Sequence, residues 1–262
     1  MQEHEITNEA HELPNFISIL KNLFPDAGWV HFLHHWENVI FSSITAIFIG
    51  TFFILAAKKN SRVPEGIQNF CEAIVEGVEG FVTGILGEQG SEHVPYLGTV
   101  FLYILLMNWS GLVPFLKAPT SAWNTTIALA LTTVCYVQLT GIQKQGFFNY
   151  IKHLSGNPTT LMGLLMIPLM LTINLCIEFM AVPVSLSLRL FANISSEDRL
   201  LYEFAKLNVH MSPLFFPFQI LANTLSIVFG IIQAFVFMLL STVYLALILP
   251  HENHEHEVSH VH

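Results

Sequence analysis

Arg189 is a permanent cation in a stretch built for lipid. Residues 185–200 read SLSLRLFANISSEDRL, after an apolar run that begins near Leu161. A midspan arginine is costly on any scale, and such residues mark ion paths or counter-charges. Its pKa above ~12 keeps the proton on the guanidinium when water is removed. It can therefore hold a fixed positive charge beside a carboxyl group that cycles between charged and neutral. At 100° per residue, Asn174, Glu178, Ser185, Arg189, Asn193, Ser196 and Glu203 share one helix face. Glu197 lies at its margin and Asp198 points nearly opposite. Glu178 is either part of a proton-accessible channel or an ion-pair partner that neutralises Arg189.

A second stripe runs through QILANTLSIVFGIIQAFVFMLLSTVY. It places Gln219, Asn223, Ser226, Gly230, Gln233, Ser241 and Tyr244 in a narrow band, with apolar residues nearly everywhere else. Small and polar residues commonly join membrane helices, and that role suits Ser185, Gly230 and Ser241. It does not account for Arg189.

These stripes must be carried by membrane helices. The chain has 262 residues, of which 53% are hydrophobic and 11% charged, and its mean hydropathy is +0.56. A soluble chain carries roughly a quarter charged residues. The net charge is −9, and no Lys/Arg cluster suggests nucleic acid. Cys71, Cys135 and Cys176 sit in apolar stretches without C-x-x-C spacing, so they read as packing residues rather than a disulfide or zinc framework. The first 30 residues lack a signal-peptide core, so no cleavage is expected there.

The pattern predicts an all-α, polytopic membrane protein with about five membrane-embedded helices and one amphipathic interfacial helix. Residues 1–38 form a polar N-terminal segment. Residues 39–57 carry no charge and suffice to span the ~30 Å hydrocarbon core. Lys58, Lys59 and Arg62 follow, which places that end in the cytoplasm and the N-terminus outside. Residues 64–86 alternate apolar and acidic positions at helical spacing, as in an amphipathic helix that docks on protein. Residues 95–143 form a transmembrane hairpin, with spans at 95–116 and 124–143 joined by VPFLKAPTSAWN. Residues 159–206 and 214–249 would extend roughly 70 and 54 Å at ~1.5 Å per residue, too long for perpendicular spans. They must tilt strongly, bend or break, with Pro168 and Pro183 as candidate kinks in the first. Strong tilt needs a protein surface to lie against. Residues 250–262 form a histidine-rich cytoplasmic tail.

SLSLRLFAN resembles the arginine motif of subunit a of F-type ATP synthases. NWSGLVPFLKAPTSAWNTTIALAL, IEFMAVPVSLSLRLF and QAFVFMLLSTVYL resemble other stretches of that family, in the family's order and across residues 30–249. The resemblance implies a stator in the bacterial inner membrane, whose two long tilted helices lie against a rotating ring of c subunits. Peripheral-stalk b subunits, the soluble catalytic ATPase head and membrane lipid are the other partners it implies, with no nucleic acid. It implies no cofactor and no metal. Each ring carboxyl group would lose its proton into one aqueous half-channel and gain one from another. Arg189 would stand between the two, pair with the deprotonated carboxylate and block leakage. Asn193 and Gln233 match family positions expected near the arginine, and Glu178 matches an acidic position beside a half-channel. Ala192, Val182 and SSEDRL depart from the commoner family residues.

Glu197 and Ser226 occupy positions that look complementary in the family, where some members carry a small residue at the first and histidine at the second. Here an acid stands at 197 and a small hydroxyl at 226, so Glu197 is expected to relay protons beside Ser226. Pairing with Arg199, or capping of a bend, is the alternative for Glu197. The subunit is expected to make no ATP itself, and no P-loop is present. The thirteen histidines, including HFLHHW at 31–36 and the C-terminal tail, suggest a rival reading: a self-contained cation transporter with a metal-sensing tail. A purely structural membrane anchor leaves Arg189 unexplained.

Overall fold

A computed structural model describes residues 15–24, 28–58, 66–156, 161–210 and 216–249. The histidine-rich tail, Lys59, Arg62 and Pro64 lie outside them. The described residues are helical nearly throughout, with one isolated bridge between Asn15 and Phe115.

Two short helices come first, α1 (Phe16–Leu23) and α2 (Gly28–His35). Asn15 starts α1 with a capping box: its side chain accepts from the Ser18 N–H at 2.8 Å, and its own N–H donates to Ser18 Oγ at 2.9 Å. Helix α3 (Glu37–Lys58) is apolar and long enough to cross a membrane. Its first residue, Glu37, is buried. That carboxylate accepts from Asn15 Nδ2 at 2.6 Å, and lies 3.0 Å from His34 Nδ1 and 3.5 Å from Lys117 Nζ. The cluster ties α1 and α2 to the loop after α5.

Helix α4 (Ile67–Leu86) is the amphipathic element. Its buried Val78 and Val82 pack with Val94, Leu97 and Met238, so part of its apolar face docks on protein as expected. A 3₁₀ segment (Gly87–His93) leads into α5 (Val94–Ser110). The sequence places this span at 95–116, but the helix stops six residues earlier than that. Gly111 caps it, Pro114 lacks an N–H to continue it, and Phe115 takes a left-handed φ of 71°. The Phe115 carbonyl accepts from the Phe16 N–H at 2.9 Å, so the apolar run LVPFL is a buttressed turn rather than a last turn of helix.

After a short 3₁₀ turn (Pro119–Ser121), α6 (Trp123–Gln145) returns. Gly146, at φ +80°, ends it in a conformation that side chains rarely adopt. Helix α7 (Phe147–Leu154) then folds back on α6. The first long segment is helical over its whole described length: α8 (Leu161–Cys176), a π-helical turn (Ile177–Ala181) and α9 (Val182–His210). Pro168 is accommodated inside α8. Pro183 has no N–H to give the carbonyl four residues back, and the widened turn sits immediately before it. The last helix is α10 (Phe216–Ile248).

Among the described residues four helices are long and apolar enough to cross a membrane, at Glu37–Lys58, Trp123–Gln145, Met166–Phe204 and Ile220–Ile248. Helix α5 is uncharged but, at 17 residues, shorter than these four. The 39-residue window at Met166–Phe204 would be about 58 Å long at ~1.5 Å per residue, so it fits a ~30 Å core only obliquely. The main core joins α5, α6, α9 and α10 through Ile104, Met107, Ala130, Leu190 and Phe237.

Candidate functional site

Helix α9 presents three different faces. Leu186, Leu190 and Ile194 are buried against α5, α6 and α10. Ser195 and Asp198 turn toward the loop after α5. Ser195 Oγ donates to the Ser121 carbonyl at 3.2 Å, and Asp198 Oδ1 lies 3.4 Å from where a Cβ on Gly111 would stand. The outward face carries Ser185, Leu188, Arg189, Ala192 and Ser196, all exposed. Arg189 thus points away from its own subunit and makes no hydrogen bond or ion pair with any described residue. The alternative in which Glu178 neutralises Arg189 is not what the fold builds.

The seam between α9 and α10 holds the next polar groups. Asn193 stands one turn beyond Arg189, and its Nδ2 donates to Gln233 Oε1 at 2.6 Å. Gln233 is buried. Gln233 therefore engages the residue one turn along from Arg189, which leaves the guanidinium open. One more turn brings Glu197 into hydrogen-bond contact with buried Ser226. Glu197 Oε2 is buried with no hydrogen-bond partner among the described residues. Buried polar atoms are rarely left unmatched unless strain, water or chemistry explains them. The alternative pairing of Glu197 with Arg199 is not seen: Arg199 is exposed, and Glu197 faces α10.

Gly230 fills the packing role expected of it. An added Cβ would meet Trp109 Cδ1 at 3.2 Å and Asn108 Cβ at 3.4 Å. Asn108 Nδ2 and Trp109 Nε1 donate to the Gly230 and Ile227 carbonyls, each at 3.3 Å. This close approach of α5 to α10 fixes the register of Ser226 and Gln233.

Glu178 is displaced from the position that regular helical counting gives. Eleven residues at 100° return it to within about 20° of Arg189 on an unbroken α-helix. The π-helical turn at Ile177–Ala181 inserts an extra residue and swings Glu178 by about 100°. It points instead toward α6 and α7. Glu178 Oε2 accepts from Gln138 Nε2 at 2.8 Å and from the Tyr150 hydroxyl at 3.1 Å. A cavity of about 150 Å³ adjoins it, lined by Thr133, Gln138, Glu178 and Tyr244 among apolar residues. Gln138 and Tyr150 escaped the sequence reading. Gln138 was visible as a long polar side chain within an apolar span. Tyr150 was not, because only the fold-back at Gly146 brings it there.

Glu178 and Glu197 lie on opposite sides of Arg189, 11 and 8 residues away, or about 16 and 12 Å along a helix. Glu197 is near the loop after α5, whereas Glu178 is at the Lys144 end. At that end Lys144, 2.5 Å from Glu92, holds the Glu92 carboxyl below its usual range. Both groups are well exposed, so the pair adds little stability. Burial first, then the Glu178 carboxylate, pushes the Tyr150 phenol above its usual range, which keeps it a hydroxyl donor. Among the described residues no three His, Cys, Asp or Glu side chains converge as metal ligands.

The seam yields a direct prediction. In a cysteine-free background, Asn193→Cys with Gln233→Cys should crosslink efficiently, because these side chains touch at 2.6 Å. A pair at 190 and 233 should crosslink far less, since Leu190 turns into the main core. Equal yields from the two pairs would contradict the seam.

The ATP synthase A chain family matches residues 39–246. A protein of Protochlamydia amoebophila named ATP synthase subunit a is 40% identical over 259 residues, covering 95% of this chain and 94% of the relative. One of the same name from Solidesulfovibrio magneticus is 41% identical over 221 residues, covering 82% and 85%. One from Helicobacter acinonychis is 34% identical over 234 residues, covering 88% and 98%.

Proposed function

The chain belongs to the ATP synthase A chain family, and from that premise we propose that its α9–α10 seam forms two offset half-channels separated by Arg189. The chain is the proton-conducting stator subunit of the membrane sector of ATP synthase, a multi-pass protein that works among the other subunits of that sector. The observation that carries the proposal is the division of α9. An open cation faces outward, with half-buried Glu197 on buried Ser226 to one side of it and half-buried Glu178 on buried Gln138 to the other.

In this reading the exposed faces of α9 and α10 lie against a ring of c subunits. A ring carboxylate that has lost its proton meets Arg189, whose guanidinium replaces the water that the charge would otherwise need. Glu197 with Ser226 serves exchange with the outer side, and Glu178 with Gln138 serves the cytoplasmic side. Asn193 and Gln233 hold the seam closed between the two, so protons cross only on the moving ring. Each charge that crosses a potential of 100 mV contributes ~2.3 kcal/mol. The chain itself supplies no catalytic step. Peripheral-stalk b subunits hold it against rotation, and the soluble head receives the torque. The N-terminus lies outside and the C-terminus in the cytoplasm of a bacterial inner membrane. Nothing in the seam favours the rival reading as a self-contained transporter.

Crosslinking tests the ring-facing assignment. Cysteines placed at Leu188 and Ala192, on the outward face, should each crosslink to the small ring subunit in native membranes. Cysteine at buried Leu190 should not. Equal labelling at all three positions, or none at the outward two, would count against the proposal.

A further inference from the structure

We propose that Tyr150 is a positioning residue for proton exchange at Glu178: from a helix outside the membrane spans, its hydroxyl holds the carboxylate at the edge of a cavity that Thr133, Gln138 and Tyr244 line among apolar residues. The inference rests on the half-channel reading above and adds a residue to it.

The hydroxyl is held in place from several directions. Gly146 turns the chain back on itself, and α7 lies along the end of α6. Asn174 Nδ2 donates to the Leu154 carbonyl at 2.6 Å, which joins α7 to α8. The Tyr150 ring lies against Gly141, where an added Cβ would come within 3.1 Å of Cε2. Tyr150 is 5% exposed, so the ring also covers this end of the network.

The hydrogen-bond arithmetic explains why a tyrosine suits the position. Glu178 Oε2 accepts from Gln138 Nε2 at 2.8 Å and lies 3.1 Å from the Tyr150 hydroxyl. The same hydroxyl also contacts Gln138 Oε1. A phenol has one proton to donate. While Glu178 is charged, the hydroxyl and the amide converge on one carboxylate oxygen, as charge-assisted bonds favour. Once Glu178 is protonated, the hydroxyl can turn to the Gln138 carbonyl. The phenol oxygen can then accept the Glu178 proton, so the same hydroxyl partners Oε2 in both states with only one rotor moving. A cavity of about 150 Å³ beside them has room for a few waters at ~30 Å³ each. Phenylalanine would keep the ring packing and lose this exchange.

The test is ATP-driven proton pumping in inverted vesicles containing the whole complex, with assembly followed by immunoblot. Tyr150→Phe should lower pumping about threefold to tenfold, the loss expected for one ordinary hydrogen bond. Glu178→Gln should lower it further. The double variant should pump no worse than Glu178→Gln alone, because the hydroxyl acts only through that carboxylate. A merely structural Tyr150 would make the two losses multiply. Gln138→Met, which leaves the Gly141 contact intact, should show the same non-additivity and is read if Tyr150→Phe does not assemble. Parental pumping in Tyr150→Phe or in Glu178→Gln, multiplying losses, or failed assembly of both the Tyr150 and Gln138 variants would overturn the inference. Arg189→Ala in the same series separates the two levels: its loss of ATP synthesis upholds the proposed function even where Tyr150 fails.

Discussion

Arg189→Ala should leave the complex assembled while ATP synthesis in energised vesicles falls below about one hundredth of the parental rate, as expected when a desolvated carboxylate loses its only counter-charge. The side chain is exposed on the outward face of α9, with no hydrogen-bond or ion-pair partner among the described residues. Its removal therefore breaks no bond that holds the fold. The main core packs through Leu186, Leu190 and Ile194 on the other side of the helix. What is lost is the fixed charge that meets each ring carboxylate. Arg189→Lys should fail as well, because lysine is a compact point charge without the planar fork and gives up its proton more readily when desolvated. Normal coupling in either variant, measured as ATP synthesis and proton pumping in the same vesicles, would remove Arg189 from the mechanism.

The second large effect is expected at Glu197. Its Oε2 is buried with no hydrogen-bond partner among the described residues, and it faces Ser226 across the seam. A carboxyl group held this way suits transfer of protons between water and the ring, and loss of a positioned proton carrier costs about a hundredfold. Glu197→Gly should therefore lose most ATP-driven proton pumping. Glycine in a helix costs about 1 kcal/mol, so Glu197→Ala should reproduce the loss with better helix stability. Adding Ser226→His to Glu197→Gly should restore part of the pumping, since the imidazole returns one ionisable group to the same space. Asp198→Asn should be milder, because Asp198 faces Gly111 rather than α10. Parental pumping in Glu197→Gly would end the relay assignment, whatever the double variant does.

The helices were legible because lipid imposes a simple rule. A span must be apolar and must satisfy its own backbone, so runs such as residues 39–57 announce themselves. The outward cation and the Glu197–Ser226 pair were also legible, since Arg189 and Glu197 lie on the part of α9, and Ser226 on the part of α10, that keeps regular periodicity. Counting failed at Glu178. The widened turn at Ile177–Ala181 shifts the phase of everything before it, and a proline alone does not reveal which way a helix yields. The end of α5 was misread because LVPFL looks apolar enough to continue, whereas Phe115 spends its conformation on a bond to Phe16. Tyr150, and the Glu37 cluster with Asn15 and Lys117, depend on contacts between distant segments that no local pattern encodes.

Proton flux into liposomes under an imposed potential is the most direct measure of whether this chain conducts only in concert with a ring. Liposomes holding the purified chain alone should show the flux of protein-free liposomes. Liposomes holding the complete complex should move protons in step with ATP synthesis by the head, and Arg189→Ala should abolish the synthesis. A flux through the chain alone that depends on Arg189 would contradict the account, because it would place a continuous path inside one subunit.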